Sequence, residues 1–210
     1  MTQFQADKTP VEPKFILDKS GSMDDTVAPR STMTRWELAY AVTKVLAEVV
    51  GAEDSAGTDE KGGGGLFTIA FSGYDEPIEL GDLNPNNFDA AWSTVRPGGA
   101  TYIVGALQAA KDDYDEEFGK TPEAVKPILA LGILTDGALN DLQAATQWIA
   151  RNATAKVVIK AIVVGYGDAH DKAIKQWTDI SNAHPNVSVE AANQTSNPND
   201  IAQRFLAMFQ

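Results

Sequence analysis

The run Pro127-Ile128-Leu129-Ala130-Leu131-Gly132-Ile133-Leu134 constrains the fold more than any other stretch. It is almost wholly apolar, so neither of its alternating faces suits water. As a strand it fits the middle of a parallel sheet covered by helices on both sides. It ends in Thr135-Asp136-Gly137. An earlier apolar run, Phe15-Ile16-Leu17, ends in the same manner at Asp18. Two buried strands therefore each carry an aspartate to the edge of a sheet.

The remaining segments alternate around these two. Spacing of apolar residues predicts strands over 14–18, 66–71, 78–80, 127–134, 156–164 and 187–189. Helices are predicted from Thr34 onward, over 102–118, 141–151 and 170–181, and from Pro198 to 209, with a short one within 84–92. Thr34-Arg35-Trp36-Glu37 has capping-box spacing. Leu38, Val42, Val45, Leu46 and Val49 then form one apolar stripe, as do Ile103, Ala106, Leu107, Ala110 and Tyr114 on the later helix. The turn region 72–77 before the short strand 78–80 predicts an antiparallel hairpin at one edge. The pattern implies an α/β, doubly wound, Rossmann-like fold. Its central sheet is mostly parallel with one antiparallel edge strand, and helices lie on both faces. Residues 1–13 read as an N-terminal arm and 14–210 as one domain.

Charge and composition exclude several functions. The net charge of −12 argues against a nucleic-acid binder, which needs a basic face, and against docking on anionic lipid. With no cysteine, neither a disulfide nor a thiolate metal site can form. No apolar run approaches the roughly 18 residues of a membrane-crossing helix. Met1-Thr2-Gln3-Phe4-Gln5-Ala6-Asp7 lacks the basic-then-apolar pattern of a signal peptide, so a cytoplasmic location is expected.

In a doubly wound sheet, ligands bind beyond the carboxyl ends of the strands, where strand order reverses. Three predicted loops bring oxygen donors to that rim. Asp18, Ser20 and Ser22 follow the first strand, Thr101 sits in the loop Arg96-Pro97-Gly98-Gly99-Ala100-Thr101-Tyr102, and Asp136 follows the apolar run. Aspartate and serine are also ordinary turn and cap residues, which explains any one of these five. It does not explain all five at one rim. Carboxylates and hydroxyls are hard ligands, and two carboxylates with three hydroxyls suit an octahedral Mg²⁺ completed by water, with Mn²⁺ or Ca²⁺ as alternatives.

These residues resemble the metal-ion-dependent adhesion site, or MIDAS, of von Willebrand factor type A (vWA) domains. Asp18-Lys19-Ser20-Gly21-Ser22 is similar to that family's Asp-x-Ser-x-Ser loop, Thr101 to its distant threonine, and Thr135-Asp136-Gly137 to its Thr-Asp-Gly turn. The resemblance spans roughly residues 14 to 209. It implies that Ser20, Ser22 and Thr101 ligate the metal through hydroxyls, with Asp18 and Asp136 acting directly or through water. It also implies a free coordination position for a carboxylate of a partner protein, and hence a binding module rather than an enzyme. The Leu-Asp-x-Ser-Gly-Ser-Met form is more similar to bacterial-type intracellular members, whose partners include AAA-type ATPases and stress-response proteins. The polar loop 24–33, with Asp24 and Asp25, lies outside the family pattern.

Other readings are weaker. A vWA scaffold with a vestigial metal site would keep the same fold. A Mg²⁺-dependent phosphohydrolase of the haloacid-dehalogenase kind would place an aspartate where Ser20 stands, and His170 and His184 are isolated rather than paired with a base. The glycines Gly62 to Gly65 precede no Lys-Ser/Thr and open no helix, so they are no phosphate-binding loop. Asp112, Asp113, Asp115, Glu116 and Glu117 read as a solvated helix face rather than a second cation site.

Overall fold

The computed structural model describes residues 10–54, 64–73, 77–192 and 197–209. Most of the predicted arm and glycine loop, and the tip of the 72–77 turn, lie outside the described residues. Six strands form one sheet: β1 (Val11–Asp18), β2 (Leu66–Phe71), β3 (Ile78–Leu83), β4 (Ile128–Thr135), β5 (Val157–Val164) and β6 (Val187–Ala192). Their order is β3-β2-β1-β4-β5-β6. All neighbours run parallel except β3, which pairs antiparallel with β2 through an irregularity at Thr68/Ile69. The chain winds outward one way from β1 and the other way from β4. The reversal therefore falls between these two, whose carboxyl ends carry Asp18 and Asp136.

Six helices cover the sheet: α1 (Arg35–Asp54), α2 (Phe88–Trp92), α3 (Val104–Phe118), α4 (Leu142–Asn152), α5 (Asp168–Ala183) and α6 (Pro198–Phe209). Alternation along β1 sorts its side chains. Phe15 and Leu17 join the core under α1, α2 and α6, while Ile16 joins the core under α3, α4 and α5. Every residue of β4 after Ile128 is buried, as its two apolar faces require. Among the described residues no helix is long and apolar enough to cross a membrane.

Local signals set the helix starts. Thr34 Oγ1 accepts from the Glu37 N–H at 3.0 Å, and Glu37 Oε2 accepts from the Thr34 N–H at 2.8 Å, closing the capping box in both directions. The start of α3 is capped from outside: Asp141 Oδ2 accepts from Val104 N–H at 2.9 Å. Several elements outrun the sequence reading. β1 begins at Val11, because Val11, Glu12 and Pro13 pair with Ile128, Leu129 and Ala130. Pairing to β2 starts only at Lys14, so Pro13 lies where β1 has a neighbour on one side alone. β3 and β6 each continue three residues beyond the predicted strands, on mixed polar residues held by main-chain pairing.

Helix α6 lies against the first core over Gly132. A Cβ at that position would meet the Phe205 ring at 3.0 Å, the Phe15 ring at 3.2 Å and the Phe209 ring at 3.2 Å. Phe15 and Phe205 pack edge to face with ring centres 5.2 Å apart. The absent side chain is what lets α6 approach. Gly132→Val should destabilise the fold by about 1–3 kcal/mol through overpacking, read as a lower urea midpoint. An unchanged midpoint would mean that α6 is not seated on this strand.

Candidate metal centre

The strand that ends at Asp18 buries its carboxylate completely. Asp18 Oδ1 accepts from the Ser20 N–H at 2.7 Å, which folds the loop back over the strand end. Asp18 Oδ2 accepts from Thr135 Oγ1 at 2.5 Å, tying β1 to the end of β4. The chain then makes a 3-10 turn over Gly21–Asp24, anchored by the fully buried Met23. This turn presents Ser20 and Ser22 side by side with hydroxyl oxygens 3.2 Å apart. Ser22 Oγ donates to Asp136 Oδ1 at 2.9 Å. Asp18, Ser20, Ser22 and Asp136 are thus gathered at the carboxyl ends of β1 and β4.

Thr101 reaches the same rim from the glycine loop. The Gly21 N–H donates to the Gly99 carbonyl at 3.0 Å, and the Gly98 N–H donates to the Lys19 carbonyl at 2.7 Å. The two loops are therefore laced together by their backbones. Thr101 is clamped by Asn140, whose Oδ1 accepts from Thr101 N–H at 2.8 Å and whose N–H donates to Thr101 O at 2.8 Å. Its hydroxyl lies beside Gly137, where a Cβ would stand 2.9 Å away. Thr101 Oγ1 makes no hydrogen bond to another described residue, which leaves its lone pairs available to a ligand. Asn140 lies just before the helix predicted from 141 and is not among the site residues the sequence points to.

Arg35 is the second residue the sequence reading passed over. It is 6% exposed, and its Nη1 donates to Asp136 Oδ2 and, at 3.3 Å, to the Ser22 carbonyl. Asp25 stands 3.8 Å from Nη1 but is largely solvated. The capping box places Arg35 in the first turn of α1. One signal was present, since a cation at a helix N-terminus opposes the helix dipole and needs a reason to be there.

The electrostatics match a cation site. Burial, with the Asp136 charge adding to it, pushes the Asp18 carboxyl up from 3.8 to about 7. Asp136 is also raised by burial, against the opposing pull of Arg35 and Ser22. Of the two buried carboxylates Asp136 pairs with the buried guanidinium while Asp18 is held by hydroxyl and backbone donors, which leaves the ionised pair under-compensated. Among the described residues no group of three His, Cys, Asp or Glu gathers. The donors here are instead two carboxylates and three hydroxyls, all hard oxygens, a set that fits Mg²⁺ or Mn²⁺. Ser20, Ser22 and Thr101 would hold the ion, with Asp18 and Asp136 balancing its charge directly or through water.

Burial raises the Asp18 carboxyl, so the folded state holds its proton to higher pH than the unfolded state does. Between pH ~4 and ~7 the folded state keeps a proton that the unfolded state has lost. Stability from this group is therefore greatest at the acid side of that window and is lost as pH rises through about 7. In EDTA, the melting temperature should fall from pH 5 to 8 in the wild type, and Asp18→Asn should flatten that fall. A wild-type profile that rises over this window would contradict the buried-pair account.

No protein-family model matches the chain, and no curated protein matches it. Solved structures do. The SpRpn10 VWA domain superposes with a TM-score of 0.61 at 16% identity, covering 92% of this chain and 95% of that one. Manganese-loaded TRAP protein of Plasmodium vivax gives 0.56 at 18% identity, over 96% of this chain and 74% of that one. Proximal thread matrix protein 1 of the mussel byssus, with a zinc-occupied MIDAS motif, gives 0.53 at 18% identity, over 95% and 46%. The fold of this chain is that of vWA domains.

Proposed function

We propose that this chain is a metal-dependent protein-binding module that grips a carboxylate of a partner protein through a divalent cation held by Ser20, Ser22 and Thr101, with Asp18 and Asp136 behind them. The observation that carries this reading is the convergence of three loops on one hydroxyl-rich rim at the point where strand order reverses. Structural neighbours loaded with manganese and zinc support a divalent ion at such a place in the fold. Mg²⁺ is the ion we favour, on the hardness of the donors. Having only two carboxylates matters for the partner. They cancel the ion's charge without repelling a third carboxylate as strongly as three acidic ligands would.

A non-enzymatic role follows from the same site. Position 20 is a serine, and His170 is buried with Nδ1 donating to the Val164 carbonyl at 3.1 Å, so neither supplies the acid or base of a phosphohydrolase. Nothing in the neighbours narrows the partner to an AAA-type ATPase or a stress-response protein. A second reading, a scaffold with a vestigial site, is favoured by one observation: Arg35 already supplies Asp136 with a cation.

Metal titration separates the two. At a hundredfold excess over Kd, Mg²⁺ or Mn²⁺ should raise the wild-type Tm by about 5–10 °C. Asp18→Ala and Thr101→Ala should lose most of that shift, and a protein partner captured with Mg²⁺ should be released by EDTA. Equal shifts in wild type and Asp18→Ala would favour the vestigial scaffold.

A further inference from the structure

We infer that Arg35 is a built-in counter-cation that loosens the site's hold on the metal and leaves the loaded site with a positive charge to be met by an anion. This inference rests on the metal-binding reading above and concerns how that site is regulated.

The position of Arg35 is over-determined by three loops. After β1, the Ser22 carbonyl accepts from Nη1; after β4, Asp136 Oδ2 does so; after β5, Gly165 and Tyr166 close over the guanidinium. Gly165 has φ +112°, and a Cβ there would come within 2.8 Å of Arg35 Nε and 3.0 Å of Cζ. The Tyr166 ring centre lies 5.7 Å from Cζ, and its hydroxyl is 3.4 Å from Thr26 Oγ1. Nε is buried without a partner among the described residues. A helix-start arginine held this way, against the helix dipole and with a donor left unmet, is costly to keep unless its charge has a use.

Its orientation shows the use. Arg35 takes Asp136 Oδ2, while Asp136 Oδ1 stays turned to the Ser22 hydroxyl inside the site. The guanidinium therefore need not leave when a metal enters; it remains as an outer cation on a shared carboxylate. Two aspartates cancel a divalent ion, so Arg35 leaves one positive charge over, which the largely solvated Asp25 carboxylate 3.8 Å from Nη1 offsets only in part. That charge repels the incoming ion and attracts an incoming carboxylate. The metal is then held firmly only when an anionic group of the partner completes the site, which couples metal retention to partner engagement.

The test is isothermal titration of EDTA-stripped protein with Mn²⁺ at pH 8, for wild type, Arg35→Met, Arg35→Gln and Arg35→Lys. Arg35→Gln keeps a donor for Asp136 while removing the charge, so it serves if Arg35→Met fails to fold. Both neutral variants should bind Mn²⁺ about tenfold or more tightly than wild type, and Arg35→Lys should stay near wild type. A purely structural Arg35 predicts weaker binding in all three. Arg35→Gln binding Mn²⁺ no more tightly than wild type would overturn the inference while leaving the metal site standing. No Mn²⁺ binding by wild type or any variant would instead remove the metal-binding reading and this one with it.

Discussion

Two carboxylates buried at the adjoining ends of β1 and β4, with one buried guanidinium paired to Asp136, are the constraint on which the rest of this structure turns. Ionised aspartates are rarely buried without full compensation, because losing water costs several kcal/mol per ion. Here the cost is spread over the Ser20 N–H, the Thr135 and Ser22 hydroxyls, and Arg35. Each donor comes from a loop, strand end or helix start at the carboxyl edge of the sheet. Removing the sheet order would scatter them.

The rim is buried at its base and held by backbone hydrogen bonds at its lip. Asp18, Thr135 and Asp136 are nearly or fully inaccessible and stand at the ends of central strands. The hydroxyls of Ser22 and Thr101 sit on loops laced by backbone hydrogen bonds between Lys19, Gly21, Gly98 and Gly99. Preorganised hard donors of this kind require little rearrangement when an ion arrives, so most of the ion's interaction energy appears as affinity. The acidic surface of the chain, with a net charge of −12, draws cations toward the rim and disfavours acidic partners elsewhere. On the proposed reading, a carboxylate-bearing partner would depend on the local charge at the metal site to overcome that wider repulsion.

Much of this was legible in the residues. Long apolar runs gave β2, β4 and β5 to within a residue, since a strand buried on both faces leaves an unmistakable composition. The capping box at Thr34 placed α1, and Pro198 placed the start of α6. The extra lengths of β1, β3 and β6 were not legible, because polar residues such as Glu12, Asp82 and Glu190 join strands through main-chain pairing that no side-chain pattern announces. Asp18, Ser20, Ser22 and Asp136 stood out because aspartates and serines clustered where strands ended, and Thr101 because it follows the tight Gly98-Gly99 loop. Arg35 and Asn140 did not, because their roles arise from contacts about a hundred and about forty residues away in sequence. Long-range pairing of this sort appears only once the sheet order is known.

The central claim is that the hydroxyl-lined rim holds a divalent ion. Diffraction at the manganese absorption edge from crystals soaked in Mn²⁺ tests it most directly. The account predicts one anomalous peak bounded by the hydroxyl oxygens of Ser20, Ser22 and Thr101, with the Asp18 and Asp136 carboxylates around it. Crystals fully exposed to Mn²⁺ that show no peak there, with Ser20, Ser22 and Asp136 still hydrogen-bonded to one another, would contradict it.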